Sequence, residues 1–591
     1  MVSGPSAYPL LFAKRTRMNQ DVVTWFAIIL SSLMGVFIVF HLSRLFAQKT
    51  GLASKLSGAT KPFVFVSRIV RRYSVLKFPA LPSTGHAVIA LLYIVVNVIL
   101  LLTYLDDSLL PYITVVAARA GWLAIANIVF VIFLSLKNTP LGYLTAWSYE
   151  RLNVLHQIAG YVTMALIIVH GATYSSYFIE ANNAARLRVH EEIYGIASGF
   201  TFLTLVVAGA VVRFWSYELF YVIHVSFFAI SMVLVGLHQP EMTKKIIIAT
   251  ALGSALWLSD RILRFFRVAY YSINNTATVY PLPHGGTRVV LKKAPIMANS
   301  GEHCFLWIPK IRALEMHPFT IANMDPLEFV INSYDGFTRD LHRYATSNPG
   351  ATVKASVEGS YGRFPNPAEY DKIVLVAGGS GASFTFGMAL NLLRRIGDGA
   401  QKSIVFVWMV KDPARLEWFS ESLATINRAL NSSIQLYVTR SPGSHGSSQE
   451  DMVQTDRSRS GTISSDASTP FTPATEKFDE AAHAPRQPSK VLTRTVSDPE
   501  KSGNESDLTT PTSPIQQSTV GSHVNNIPIH YGRPDVSKII TKAIEETPAN
   551  QRVLVMGCGP ATLMTQVRNT TASHIRTSGP AVELHCEQFG W

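Results

Sequence analysis

The sequence predicts a multi-domain chain: a helical membrane bundle, then a small antiparallel β-barrel, then an open α/β sheet. Three observations predict it. Apolar residues crowd before residue 265, in runs of membrane-spanning length. After residue 270, short β-rich runs punctuated by Gly and Pro take over. From residue 371, strand patterns alternate with helical ones. Hydrophobic residues make up 48% of the 591 and charged residues only 15%, against about a quarter charged in a soluble domain. That excess calls for a bilayer rather than one oversized core.

Seven apolar spans are expected, roughly at 22–46, 86–105, 118–136, 153–173, 193–213, 218–238 and 244–263, each near the ~20 residues that cross the hydrocarbon. The segment between the first two carries Arg44, Lys49, Lys55, Lys61, Arg68, Arg71, Arg72 and Lys77 and no acid. An excess of cationic residues marks the cytosolic side, so the polar half of the chain is expected in the cytosol. Arg261, Arg264 and Arg267, read as following the last span, agree. The formal net charge of +13 is thus assigned to a membrane surface and not to nucleic acid. Three cysteines, Cys304, Cys558 and Cys586, form no CxxC pair, which excludes a zinc or iron–sulfur motif and a disulfide framework.

Two spans each carry two histidines fourteen residues apart, His156 and His170 in the fourth and His224 and His238 in the sixth. Fourteen residues rise about 21 Å and return to within about 40° of the same face. Spans four and six run parallel, which pairs His156 with His224 and His170 with His238. Each pair can bind one haem iron from opposite faces, and four intramembrane histidines are costly without such a task. The alternative, isolated histidines in interhelical hydrogen bonds, leaves the repeated spacing unexplained. His41 and His86 have no partner pattern and are read as satisfied interfacial residues.

In the polar half, strands are expected at 288–291, 305–308 and 327–331 of the barrel, and at 373–376, 404–409, 434–438 and 553–556 of the sheet. Residues 441–525 are rich in Ser, Thr, Pro and charge and are read as a disordered insert that cannot offset its ordering entropy. The expected domains are 1–85 (first span and basic loop), 86–265 (haem bundle), 270–368 (barrel) and 371–591 (α/β domain with the insert).

The run SYERLNVLHQIAGYVTMALIIVHG (148–171), with RFWSYELFYVIH (213–224) and HPFTIAN (317–323), resembles the ferric reductase family, which shares its architecture with the NADPH oxidases. The resemblance covers about 120–591 outside the insert. It implies an α-helical transmembrane haem bundle followed by a ferredoxin–NADP reductase-like module, made of an FAD-binding β-barrel and an NADPH-binding α/β domain. His317, Pro318, Phe319 and Thr320 become the FAD motif. Gly336 and Thr338 open a helix at 339–345 whose N-terminus suits a phosphate, though an ordinary turn and helix start reads the same.

Gly378, Gly379, Ser380 and Gly381 follow a strand and resemble the NADPH loop, where glycines admit a pyrophosphate; Phe384 stands where relatives often have Pro. Gly557, Cys558, Gly559 and Pro560 resemble the second nucleotide loop, with Cys558 either beside the hydride path or a small buried residue. Arg440 either pairs with the 2′-phosphate or is a solvated arginine. Phe589, in the segment Glu587-Gln588-Phe589-Gly590-Trp591, is the candidate aromatic that covers the flavin until nicotinamide displaces it.

The resemblance implies electrons passing from cytosolic NADPH through FAD and two b-type haems to extracytoplasmic Fe(III) or Cu(II) chelates. The site is a multi-pass membrane protein, expected in the plasma membrane, with an iron permease or oxidase as candidate partner. The extra N-terminal span, and HPFT continuing as Ile-Ala-Asn, favour this over a superoxide-forming NADPH oxidase. A non-catalytic scaffold is disfavoured by the intact histidines and flavin motif.

Overall fold

The computed structural model describes residues 9–50, 57–108, 110–238, 244–396, 402–429, 431–440 and 520–587. Helix α1 (Pro9–Thr50) is followed by the amphipathic α2 (Ser57–Ser74) and by α3 (Thr84–Leu102), α4 (Tyr112–Ser135), α5 (Tyr149–Glu180), α6 (His190–Ala210), α7 (Tyr217–Leu237) and α8 (Lys244–Ser272). Seven of these, all but α2, are long and apolar enough to cross a membrane. Several run well beyond the hydrophobic runs that announce them. α1 starts at Pro9 rather than near 22, and α8 ends at Ser272 rather than 263. Hydropathy measures the thickness of the hydrocarbon, whereas a helix continues until a capping or breaking residue stops it. Two expectations are corrected accordingly. Arg261, Arg264 and Arg267 lie inside α8, and His238 is the C-cap residue of α7, one position beyond its last turn.

The barrel comprises β1 (Thr276–Leu282), β2 (Gly286–Leu291), β3 (His303–Trp307), β4 (His317–Met324), β5 (Leu327–Asn332), α9 (Gly336–Ser347), β6 (Ala351–Lys354) and β7 (Ser356–Tyr361). Its antiparallel strands run in the order β6-β1-β2-β5-β4-β3-β7. They curl round one apolar core that includes Val279, Val289, Leu306, Phe329, Val357 and, from α9, Phe337 and Leu341.

The α/β lobe comprises β8 (Lys372–Gly378), α10 (Ala382–Arg395), β9 (Ser403–Val410), α11 (Ser420–Ala429), β10 (Asn431–Val438), β11 (Val520–Val524), β12 (Ile527–Tyr531), α12 (Val536–Glu545), β13 (Arg552–Cys558), α13 (Ala561–Ser573) and β14 (Ala581–Glu587). The sheet order is β11-β12-β10-β9-β8-β13-β14, parallel except for β11. Central strands are buried on both faces, hence their unbroken apolar runs. Ile373 and Leu375 of β8 pack with α10 and α11, while Val374 and Val376 pack with α12 and α13. The end of the expected insert is corrected here: 520–524 form edge strand β11, antiparallel to β12. Val-Gly-Ser-His-Val is too polar to announce a strand, and its pairing with β12 decides. The rest of the insert lies outside the described residues.

Candidate functional site

Two pairs of imidazoles face each other inside the bundle. His156 of α5 and His224 of α7 have ring centroids 6.3 Å apart, and His170 and His238 have theirs 6.1 Å apart. With metal–imidazole bonds of about 2 Å and about 1.1 Å from nitrogen to ring centre, one iron held axially by two imidazoles sets the centroids about 6 Å apart. The tautomers suit the same task. Each Nδ1 lies on a backbone carbonyl: His156 on Val131 (3.0 Å), His170 on Ala117 (2.8 Å), His224 on Leu205 (3.2 Å) and His238 on Glu191 (2.7 Å). A carbonyl only accepts, so Nδ1 carries the proton and Nε2 is left with its lone pair for a metal. At the second pair this depends on two glycines. A Cβ on Gly121 would stand 2.6 Å from the His170 ring, and one on Gly195 would stand 2.5 Å from the His238 ring.

Both histidine helices begin on the barrel. Glu150 of α5, six residues before His156, meets His303 of β3 at 3.1 Å. Glu218 of α7, six residues before His224, has its carboxylate within 4.8 Å of His317 and Glu315. Six residues rise about 9 Å, so β4 sits close to the first histidine pair. The side chains of His317, Pro318, Phe319 and Thr320 are all half-buried at the start of β4, a run of four that interrupts the alternation of buried and outward residues. The His317 ring stacks on Phe337 at 4.8 Å and bonds Glu315 at 3.0 Å. Gly336 takes φ +49°, and the Thr338 hydroxyl accepts from Tyr334 N and donates to Asp335 O, closing the turn in front of α9. The N-cap of α9 is Asp335, whose side chain caps no backbone amide, so the first-turn N–H groups are not taken up by that side chain. This donor set and half-buried strand face fit a flavin dinucleotide.

In the α/β lobe, β9 lies on one side of β8 and β13 on the other. That reversal opens a crevice at the carboxyl ends of β8 and β13, where such sheets bind nucleotides. The loops expected there do meet. A Cβ on Gly381 would fall 2.3 Å from Cys558 O, and one on Gly378 would fall 2.7 Å from Pro560 Cδ; Gly559 in turn packs on Gly378. Gly378 and Gly381 therefore serve the contact between the loops. Gly379, at φ +58° with open space around it, is the one free to admit a phosphate, with Ser380 beside it at the start of α10. Trp408 Nε1 donates to Gly379 O at 3.1 Å and fixes the loop. The Cys558 side chain points into the core, and burial pushes its thiol up. Phe384 is fully buried and stacks on His585 at 6.0 Å.

Three family models match in the order of these three parts. They are a ferric reductase-like transmembrane component (residues 120–235), an FAD-binding domain (272–365) and a ferric reductase NAD-binding domain (370–572). The chain belongs to the ferric reductase family. Among similar proteins, a probable cell surface ferric reductase of Aspergillus oryzae is 29% identical over 52% of this chain and 45% of its own length. Ferric/cupric reductase transmembrane component 2 of Saccharomyces cerevisiae is 24% identical over 80% and 61%, and ferric reductase transmembrane component 3 of the same yeast is 23% identical over 86% and 68%. The matched region thus spans about half to two thirds of the length of these relatives.

The sequence does not announce the polar junction of this family member. Arg151 of α5 meets His585 Nδ1 of β14 at 3.2 Å, and His585 Nε2 meets Glu587 at 2.6 Å. Glu358 of β7, fully buried, holds Arg264 of α8 at 3.3 Å and Lys137 at 4.0 Å and is hydrogen-bonded by Tyr361. Burial lowers the Lys137 ammonium well below its usual range. The contacts between elements join residues from 94 to 434 positions apart, and no spacing signals them. Arg440 is exposed just beyond β10. The parallel register pairs Val438 with Tyr531, so Arg533 stands at the matching place beyond β12, an unforeseen second cation on that rim. Phe589 lies outside the described residues.

Proposed function

We propose that this chain is a transmembrane metalloreductase that uses cytosolic NADPH to reduce extracytoplasmic Fe(III), or Cu(II), in chelated form. The carrying observation is the pair of histidine couples at iron-bridging distance, with their helices rooted on the barrel. FAD and two b-type haems, when bound, would supply the redox chemistry of hydride acceptance and single-electron transfer across the bilayer. His156 and His224 hold the haem near the barrel, and His170 and His238 the one at the far end. Thr320 and the amides around Pro318 and Phe319 orient the flavin, and the α9 N-terminus behind Gly336 and Thr338 takes its phosphate. Gly379 and Ser380 seat the NADPH pyrophosphate, with Gly557, Gly559 and Pro560 shaping the other wall; Arg440 and Arg533 take the 2′-phosphate.

Because each haem iron would be held by two histidines, the far-end acceptor would be reduced without binding to iron. The positive segment after α1 sets the flavin module in the cytosol, and the relatives' names support a cell-surface, metal-directed role. An iron permease or oxidase is a fitting partner. The test uses intact cells expressing the full chain, given membrane-impermeant ferric and cupric chelates. Chelate reduction dependent on intracellular NADPH is expected, with little superoxide. Superoxide as the main product would instead make the chain an NADPH oxidase. In lysates, Arg440→Ala and Arg533→Ala should each raise KM for NADPH about tenfold and leave that for NADH within twofold.

A further inference from the structure

At the end of the bundle remote from the barrel, an opening lies between α1, the segment after α3 and the start of α4. It is a narrow recess open at its mouth, and Lys14, Arg15, Asn19, Tyr104, Asp106 and Arg119 line it. Arg119 is fully buried, and every hydrogen-bond partner it has among the described residues is neutral. Nε donates to Asn19 Oδ1 (2.7 Å), one terminal nitrogen to Leu100 O (2.9 Å) and Thr103 O (2.7 Å), and the other to Tyr104 O (2.8 Å). The guanidinium charge is thereby hydrogen-bonded but not neutralised, and one of its five N–H groups is left over.

Accepting from Arg119 also fixes the Asn19 amide, because Oδ1 must face the guanidinium. Nδ2 is then a donor on a residue 1% exposed, and it has no acceptor among the described residues. An unpaired buried donor is costly, so a wall that keeps one is arranged for an acceptor from outside. Lys14, paired with Asp106, and Arg15 complete a lining with three cations to one acid. The opening adjoins the far-end histidine pair from two sides. Ala117, whose carbonyl holds His170, is two residues from Arg119. Tyr174, edge-on to His170 at 5.3 Å, lies against Arg15.

We propose that this opening docks a carboxylate arm of an anionic ferric chelate of the citrate class, with Asn19 Nδ2 and the Arg15 and Arg119 guanidiniums as its donors. The inference rests on the metalloreductase reading and adds the acceptor's charge and seat. A carboxylate with two acceptor oxygens matches the unpaired Asn19 amide and the Arg15 and Arg119 guanidiniums, Asp106 being taken up by Lys14, and a cationic approach also speeds encounter with an anion.

The probe is gallium(III) citrate, redox-inert and of the same charge, added to the full haem-loaded chain in phosphatidylcholine nanodiscs. Saturable binding is expected, weakened at least tenfold by Asn19→Asp, which keeps the acceptor for Arg119 and turns the free donor into an acceptor. Arg15→Gln should weaken it about as much. In turnover, Asn19→Asp should raise KM for ferric citrate and lower it for the cationic tris-bipyridine iron(III). Gallium citrate that does not bind, or binds equally to wild type and both variants, overturns the proposal. So does a loss of haem or a shifted haem spectrum in the variants with gallium binding intact, since the carboxylate served would then be a haem propionate. Should wild type bind gallium citrate yet reduce no ferric chelate, the metalloreductase reading fails and the anion site stands.

Discussion

At the residue scale, two kinds of position decide whether the bundle works. The first is the glycine that makes room for a ligand. Gly121 and Gly195 press on the His170 and His238 rings, whereas the nearest atom of the other pair to a Cβ on Gly209 is His224 Nδ1 at 3.9 Å. Gly121→Ala or Gly195→Ala should therefore displace a far-end ring and spare the near pair. Haem content is expected to fall by about half, with the remaining Soret band still bis-histidine in character; full loss or no loss in both variants would contradict the assignment. The second is the buried charge that must stay paired. Glu358 neutralises Arg264, a side chain only 15% exposed. Glu358→Gln strands the Arg264 guanidinium in a poorly solvated junction and should destabilise the fold by about 3 kcal/mol, read as a lower thermal midpoint, with Glu358→Asp recovering part of the loss.

At the scale of elements, α1 and α2 act as a brace for the nucleotide lobe. Arg44 reaches Glu583 of β14 at 3.1 Å and Arg71 reaches it at 2.8 Å, while Tyr370 donates to its other oxygen at 2.5 Å. Arg68 donates to the carbonyls of Arg576, Thr577 and Gly579. Burial alone would raise the Glu583 carboxyl, but the Arg71 and Arg44 guanidiniums override it and hold the group down at about 2. A depressed acid contributes stability in full above its unfolded value of about 4.5 and loses it as pH falls toward 2. The brace should thus be constant from pH 5 to 8. Glu583→Gln should cost about 2 kcal/mol, since both arginines are about a third exposed and water screens them. Limited proteolysis of the lobe should accelerate in this variant at pH 7 and differ little from wild type near pH 2.

Elements also show what the sequence makes legible. The four histidines stand out because a fourteen-residue interval survives translation into a helix, and β8 and β13 because two-sided burial writes an apolar run. Edge strand β11 hides in a polar stretch, and the brace is hidden altogether: the basic loop reads as a membrane-facing charge cluster, and only the fold shows that Arg44, Arg68 and Arg71 turn toward the lobe. The glycines of the first nucleotide loop are found by pattern, but which of them faces a ligand and which faces the other loop depends on tertiary contact.

At the scale of the whole molecule, the barrel is held near the first histidine pair by Glu150–His303 and by the Glu218, Glu315 and His317 cluster, so on the proposed reading electrons would enter the bundle at that end. The two pairs would then act in series. His224→Ala should abolish chelate reduction and leave NADPH oxidation by a soluble dye intact. His238→Ala should also stop chelate reduction, yet the near haem should still be reduced by NADPH, seen as growth of its reduced α-band. A near haem that stays oxidised in His238→Ala would rule out this order.

The placing of β13 between β8 and β14 sets a timetable for biosynthesis. When β8 leaves the ribosome, its partner on that side lies about 170 residues downstream. At roughly 5–20 residues per second, the apolar edge of β8 waits on the order of 10–30 seconds unpaired, and an open edge of this kind recruits other chains. Nascent chains halted just before residue 552 should therefore bind chaperones more than chains halted before 372 or after 587, and slowing translation across the intervening stretch should lower the yield of soluble lobe.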